Sequence, residues 1–258
     1  MDFSNELSER GVTERRFDLK VGDALVPGLI WTPEGATGPR PLVLLGHGGT
    51  QHKRIDIVLA IARRLVRHHG YAAVAIDAPD HGDRVTPEEA ARARESLRPN
   101  PTGPLREPSS ERLKRMTART EQATQEWKAV LDAVSALPDV AGGPVGYWGV
   151  SMGTMFGVPF VASEPRVKCA VFGLAGLRPT AEAFAKAAAS ITIPLLFMFQ
   201  LHDELMTPES GLALFAAFGS KTKSMHINPG SHVGIPGFER EYFETFYVRH
   251  LSRAAAAG

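Results

Sequence analysis

The chain has 258 residues, 43% of them hydrophobic, which suits one large α/β domain with a single core over residues 1–258 better than two small ones. Lysine and arginine total 29 against 28 aspartates and glutamates, so no field of either sign draws in nucleic acid or an anionic membrane, and neither is expected as a partner. The charged start "MDFSNELSERGVTERRFDLKVG" has no apolar signal core, and no later run approaches the roughly 18 apolar residues of a membrane span, so a soluble, cytoplasmic protein is expected.

In chain order, segments 13–20 and 24–32 alternate polar and apolar residues around Gly22-Asp23 and predict an antiparallel hairpin at one edge of a sheet. "PLVLLG" at 41–46 and "AAVAID" at 72–77 read as buried parallel strands, joined by a helix over 55–68 with Ile55, Val58, Leu59, Ala62, Leu65 and Val66 at helical spacing. A short helix at 86–97 is announced by Thr86-Pro87-Glu88-Glu89, a capping residue, a first-turn proline and a reciprocal glutamate. Residues 84–110, with the proline-rich "RPNPTGPLREP", are too long for an incidental connection and are expected to form a lid or flap insertion. A helix at 110–137, a strand at 144–150, a helix at 152–163, strands at 167–174 and 194–200, a helix at 208–218, a strand at 223–228 and a closing helix at 237–250 follow. Strands alternating with helices predict a mostly parallel eight-stranded sheet with helices on both faces. Cys169 lies within the apolar run "VKCAVFGL", so it is expected as a small core residue and cannot form an internal disulfide.

Between the strand at 144–150 and the helix at 152–163 stands Gly149-Val150-Ser151-Met152-Gly153. A sharp strand-to-helix turn pushes its central serine into strained backbone geometry, and small residues on either side let strand and helix approach. Ser151 is therefore the candidate nucleophile. A serine hydroxyl needs a base to take its proton. Of nine histidines, His232 in "NPGSHVG" follows the last predicted strand and can return to the top of the sheet, with His202 as its rival at the end of another strand. The base in turn needs an acid to fix its tautomer. Asp203 in "LHDELMTPESG" stands at the carboxyl end of a strand, where catalytic loops gather, with its neighbour Glu204 as the alternative.

The order Ser151, Asp203, His232 is that of the α/β-hydrolases, and the chain resembles this superfamily over nearly its whole length. "LLGHGGT" (44–50) looks like the oxyanion loop, "DAPDHGDR" (77–84) like the loop after the next strand, "GVSMG" like the nucleophile elbow, "HDELMTPE" like the acid loop and "GSHVG" like the histidine loop. Small esterases and dienelactone-hydrolase-like members are the nearest in pattern, although a serine stands where true dienelactone hydrolases use cysteine. The resemblance implies an α/β-hydrolase fold and a catalytic triad of Ser151, Asp203 and His232. Its oxyanion hole would take backbone amides of Met152 and Gly49, with Gly48 or Thr50 in reserve, and His47 would brace the loop without moving protons. Gly48, Thr50, Met155, Leu174 and Met206 are the candidate pocket residues.

The expected activity is hydrolysis of a small carboxylic ester or lactone through an acyl-enzyme, with no metal or organic cofactor. C–C bond hydrolysis, perhydrolysis or lyase chemistry on the same triad, and a non-catalytic binding protein, are the alternatives, because fold and triad do not fix the reaction. A homo-oligomer is left open.

Overall fold

The computed structural model describes residues 1–96, 109–178 and 180–256. Nine strands form one sheet: β1 (Asp2–Glu9), β2 (Val12–Val21), β3 (Ala24–Pro33), β4 (Leu42–Gly46), β5 (Ala72–Ile76), β6 (Val145–Val150), β7 (Val167–Gly173), β8 (Leu195–Gln200) and β9 (Lys223–Asn228), in the order β1-β2-β3-β5-β4-β6-β7-β8-β9. From β5 to β9 neighbouring strands run parallel, while β1, β2 and β3 are antiparallel to their neighbours. Among the described residues seven α-helices accompany them: α1 (Asp56–His69), α2 (Pro87–Ser96), α3 (Ser110–Ser135), α4 (Met152–Ala162), α5 (Glu182–Ser190), α6 (Pro208–Ala217) and α7 (Glu239–Ala256).

Pleating divides the core in two. Leu42 and Leu44 of β4 and Tyr147 of β6 point to the side covered by α3, α4, α5 and α6, where Trp127, Phe160 and Leu214 pack. Val43, Leu45 and Trp148 point to the other side, under α1 and α7, against Ile61, Phe243 and Leu251. The strands between are apolar throughout because both of their faces are covered. Tyr247 of α7 also donates its hydroxyl to the carbonyl of Tyr147 at 2.7 Å, fixing the last helix to the strand that leads to Ser151.

Four expectations change. The sheet has nine strands rather than eight, because β1 continues the first hairpin as an outer edge strand. Every residue of β1 is exposed, so it lacks the apolar face by which strands are recognised. The expected edge hairpin, β2 with β3, therefore sits one strand inside the edge. β9 is parallel as expected but is itself an edge, with only Asn228 fully buried. Helix α5 was not anticipated: "EAFAKAAAS" has one large apolar residue, and Ala181 before it makes no side-chain cap.

At α2 the capping box forms as expected, with Thr86 N–H donating to Glu89 Oε2 at 2.8 Å and Glu89 N–H to Thr86 Oγ1 at 3.3 Å. Of the lid expected over 84–110, residues 97–108 lie outside the described residues. At its base, Arg84 forks onto the buried Glu126 of α3 with bonds of 2.7 and 2.8 Å. Among the described residues no helix is long and apolar enough to cross a membrane.

Candidate active site

Ser151 lies between β6 and α4 with φ 54 and ψ −117, a backbone conformation that a residue bearing a Cβ adopts only under constraint. The constraint is visible around it. Ser151 N–H donates to Gly173 O at 2.9 Å. The buried Thr154 hydroxyl lies 2.8 Å from the carbonyl of Gly149 and 2.6 Å from that of Gly173, and accepts Gly173 N–H at 2.9 Å. Ends of β6 and β7 are thereby joined beneath the serine. A Cβ at Gly153 would overlap the Gly46 carbonyl, so glycine is required where α4 crosses the end of β4.

The other two expected members arrive from the loops after β8 and β9. His232 Nε2 is 2.8 Å from Ser151 Oγ, and His232 Nδ1 is 2.7 Å from Asp203 Oδ2. Asp203 Oδ1 accepts the N–H groups of Leu205 and Met206 at 2.8 and 2.9 Å, which fixes the carboxylate plane. Its side chain is fully buried and that of His232 nearly so. His202, the rival base, is exposed. Glu204, the alternative acid, reaches the main chain instead: its Oε2 accepts His232 N–H at 2.8 Å. His226 of β9 is 2.9 Å from Glu239 and ties that edge strand to α7.

The loop after β4 is braced from behind. Ala78 N–H donates to His47 Nε2 at 3.1 Å, so that nitrogen carries a lone pair and the proton is on Nδ1, which donates to Gly48 O at 2.8 Å. Burial pushes the pKa of His47 down to about 4, against the opposing pull of the Gly48 carbonyl, and the ring is neutral. Gly48 N–H is taken by Gln51 Oε1 at 3.0 Å. Among the described residues the amides of Gly49 and Thr50 donate to no protein acceptor. The Met152 amide, at the first position of α4, has no acceptor within the helix.

Further support comes from residues whose roles the sequence reading did not reach. The fully buried Asp77 accepts Lys53 N–H at 2.9 Å, Lys53 Nζ at 2.6 Å and Asp83 N–H at 2.9 Å. Lys53 Nζ also reaches Asp83 at 2.6 Å. Burial alone would raise the pKa of Asp83, but Lys53 and Arg16 outweigh it and hold the carboxyl below its usual range. Gly82, with φ 58, lets the chain pass over the Asp77 carboxylate, where a Cβ would collide with it. This cluster fastens the loop over 47–54 to that over 77–84. A lysine three residues beyond the "GHGGT" motif was the one available signal.

The pocket candidates separate. Met155 and Met206 are half-buried on the elements that carry Ser151 and Asp203. Leu174, expected in the pocket, is instead in the core beneath α1 and α7, with φ 53 and its N–H on Met198 O at 3.0 Å. Gly48 is buried in the loop turn and Thr50 is half-buried. A cavity of about 560 Å³ shares Thr50 with the site, but Gln51, Arg16, Glu14 and Arg94 also line it and Ser151 does not, so it opens beside the loop rather than over the serine. Cys169 is buried as expected, and burial pushes its thiol pKa well up.

No protein-family model matches the chain, and no curated protein sequence does. Solved structures do. An esterase from an Arctic intertidal metagenomic library is 33% identical, with a TM-score of 0.80 over 97% of this chain and 100% of that one. An acetyl xylan esterase from Paenibacillus sp. R4 is 17% identical, with a TM-score of 0.73 over 97% and 88% of the two chains. A dienelactone hydrolase from Anabaena variabilis is 21% identical, with a TM-score of 0.66 over 94% and 100%. The last two share the fold; the first, more than 30% identical along its whole length, shows the family. The chain belongs to the α/β-hydrolase superfamily, as an esterase and a carboxylesterase-type hydrolase.

Proposed function

We propose that the protein hydrolyses small carboxylic esters or lactones through an acyl-enzyme on Ser151. The observation that carries this reading is the unbroken line of hydrogen bonds from Asp203 Oδ2 through the His232 ring to Ser151 Oγ, at 2.7 and 2.8 Å. As Ser151 Oγ attacks the acyl carbon, His232 Nε2 takes its proton, and Asp203 holds the imidazole in the tautomer that leaves Nε2 free and stabilises the imidazolium. The tetrahedral oxyanion is met by the N–H groups of Met152 and Gly49, each worth on the order of 3 kcal/mol in the transition state. Collapse expels the alcohol, which takes the proton from His232. Water, deprotonated by His232, then frees the acid and restores the hydroxyl.

Met155 and Met206 border the acyl or alcohol side of this site. The chemistry balances without a metal or organic cofactor.

The test is a panel of p-nitrophenyl esters of graded acyl length, assayed beside labelling by a fluorophosphonate probe. Turnover of the short esters and stoichiometric labelling of Ser151 are expected. A protein inert to every ester and to the probe is not a serine esterase.

A further inference from the structure

Among the described residues, one group of three histidine, cysteine, aspartate or glutamate side chains converges closely enough to hold a metal ion, and it lies away from Ser151. Helix α1 ends in Arg67-His68-His69-Gly70, and Glu244 projects from the first half of α7. Both imidazoles reach one oxygen: His68 Nδ1 is 2.9 Å and His69 Nε2 3.1 Å from Glu244 Oε2. The three ligand atoms lie within 4.8 Å of one another, and the two rings stand nearly perpendicular, at 82°.

We propose that His68, His69 and Glu244 form a binding site for a divalent transition-metal ion of the zinc class, which staples the end of α1 to α7. The proposal is independent of the triad reading.

Spacing argues first. Zinc bonds of roughly 2.0–2.1 Å to nitrogen and oxygen put tetrahedral ligand atoms about 3.3 Å apart. The two nitrogen-to-oxygen separations would open by a few tenths of an ångström, and the two nitrogens, within 4.8 Å of each other, would settle to the same spacing around an ion. Three protein ligands then leave a fourth position for water. Donor chemistry argues second. Two imidazoles and one carboxylate suit zinc and its neighbours, whereas magnesium and calcium prefer oxygen alone.

Access and support are also present. Glu244 is buried, but the His68 side chain is 46% exposed and that of His69 27%, so a hydrated ion can approach from solvent. Arg64 holds the other carboxylate oxygen, Oε1, so Glu244 is already oriented and presents Oε2 alone. That guanidinium, with Arg67 in the same turn, also opposes a cation and so weakens its binding. On binding, each imidazole offers its lone pair to the metal and carries its proton on the other ring nitrogen, so a neutral ring loses no proton.

The placement defines the role. α1 runs back from the carboxyl end of β4 toward the start of β5, so its last turn is at the end of the sheet remote from Ser151. The ion would join residues 176 apart in sequence and add stability without touching the reaction.

The experiment uses the full chain stripped with EDTA and titrated calorimetrically with zinc chloride near neutral pH, with thermal unfolding followed in parallel. One ion per chain, a micromolar dissociation constant and a melting temperature raised by several degrees are expected. His68→Ala/His69→Ala should lose both the saturable binding and the rise, and the milder His68→Gln, which keeps the helix end polar, should weaken both. Wild-type protein that binds no zinc overturns the proposal. So does a double variant that binds with the same stoichiometry and affinity, since the ion then sits elsewhere.

Discussion

Glu204 holds His232 by its main chain, through a 2.8 Å hydrogen bond from the His232 N–H, while the adjacent Asp203 is 2.7 Å from its ring. Two consecutive acids thus take two different parts of one histidine. One sets the ring's tautomer; the other sets where the loop stands. Removing Glu204 should therefore loosen the base without abolishing it. Glu204→Ala is expected to lower kcat about tenfold, the scale of one charge-assisted hydrogen bond at a partly exposed site. Glu204→Gln, which keeps an acceptor oxygen, should recover most of that. Steady-state kinetics on a p-nitrophenyl ester separates the two, and equal losses would show that charge rather than loop position matters.

The proposed triad acts as a unit. Ser151→Ala and His232→Ala should each reduce kcat by roughly 10⁴–10⁶-fold, and the double variant should be hardly worse than either alone. Asp203→Asn should cost on the order of 10⁴-fold by favouring the wrong tautomer. Multiplying losses in the Ser151/His232 double variant would break the assignment.

His47 carries a pH signature of stability. Its pKa is about 4 in the folded protein against 6.5 as the reference for the unfolded chain, so between those values the unfolded state binds the extra proton. Stability from this group is complete above pH ~6.5 and drains as pH falls toward ~4, by roughly 3 kcal/mol in all. Acidic groups such as Asp83 lose their contributions lower still, through the carboxylate range. His47→Gln, which can donate to Gly48 O and accept from Ala78 N–H, should flatten the difference in urea midpoint between pH 4.5 and 7 by about one proton's worth. An unchanged slope would mean that the ring is already charged in the fold.

Lys53→Met should be among the costliest single changes. It strands the fully buried Asp77 carboxylate without its cation, a defect of about 3–5 kcal/mol. Because the same lysine joins the 47–54 loop to the 77–84 loop, kcat should fall in whatever folded fraction remains. Chemical denaturation reads the first effect and active-site-titrated kinetics the second. A variant with wild-type midpoint would show that Asp83 N–H and the Lys53 N–H suffice for Asp77.

Much of this arrangement is legible in the residues. Strands with both faces covered, such as "LVLLG" and "AAVAI", announce themselves by unbroken apolar runs, and Ser151, Asp203 and His232, which follow the carboxyl ends of β6, β8 and β9, are brought together in the fold. β1 escapes because an exposed edge strand satisfies half its hydrogen bonds on one neighbour and needs no apolar face. Helix α5 escapes because alanines pack without marking a stripe. The Lys53, Asp77 and Asp83 cluster is a tertiary meeting of residues up to 30 positions apart. Nothing local distinguishes Leu174 in the core from Met155 half-buried on α4, since both are apolar residues beside the nucleophile's turn.

The Thr154 hydroxyl, wedged between the ends of β6 and β7, has an evolutionary consequence. The serine's placement depends on two strand ends and a buried side chain, all of them outside residues 84–110. Descendants of this chain can vary the loops around the site while inheriting the reactive centre intact. A directed-evolution campaign on this scaffold should find its dead clones at Thr154.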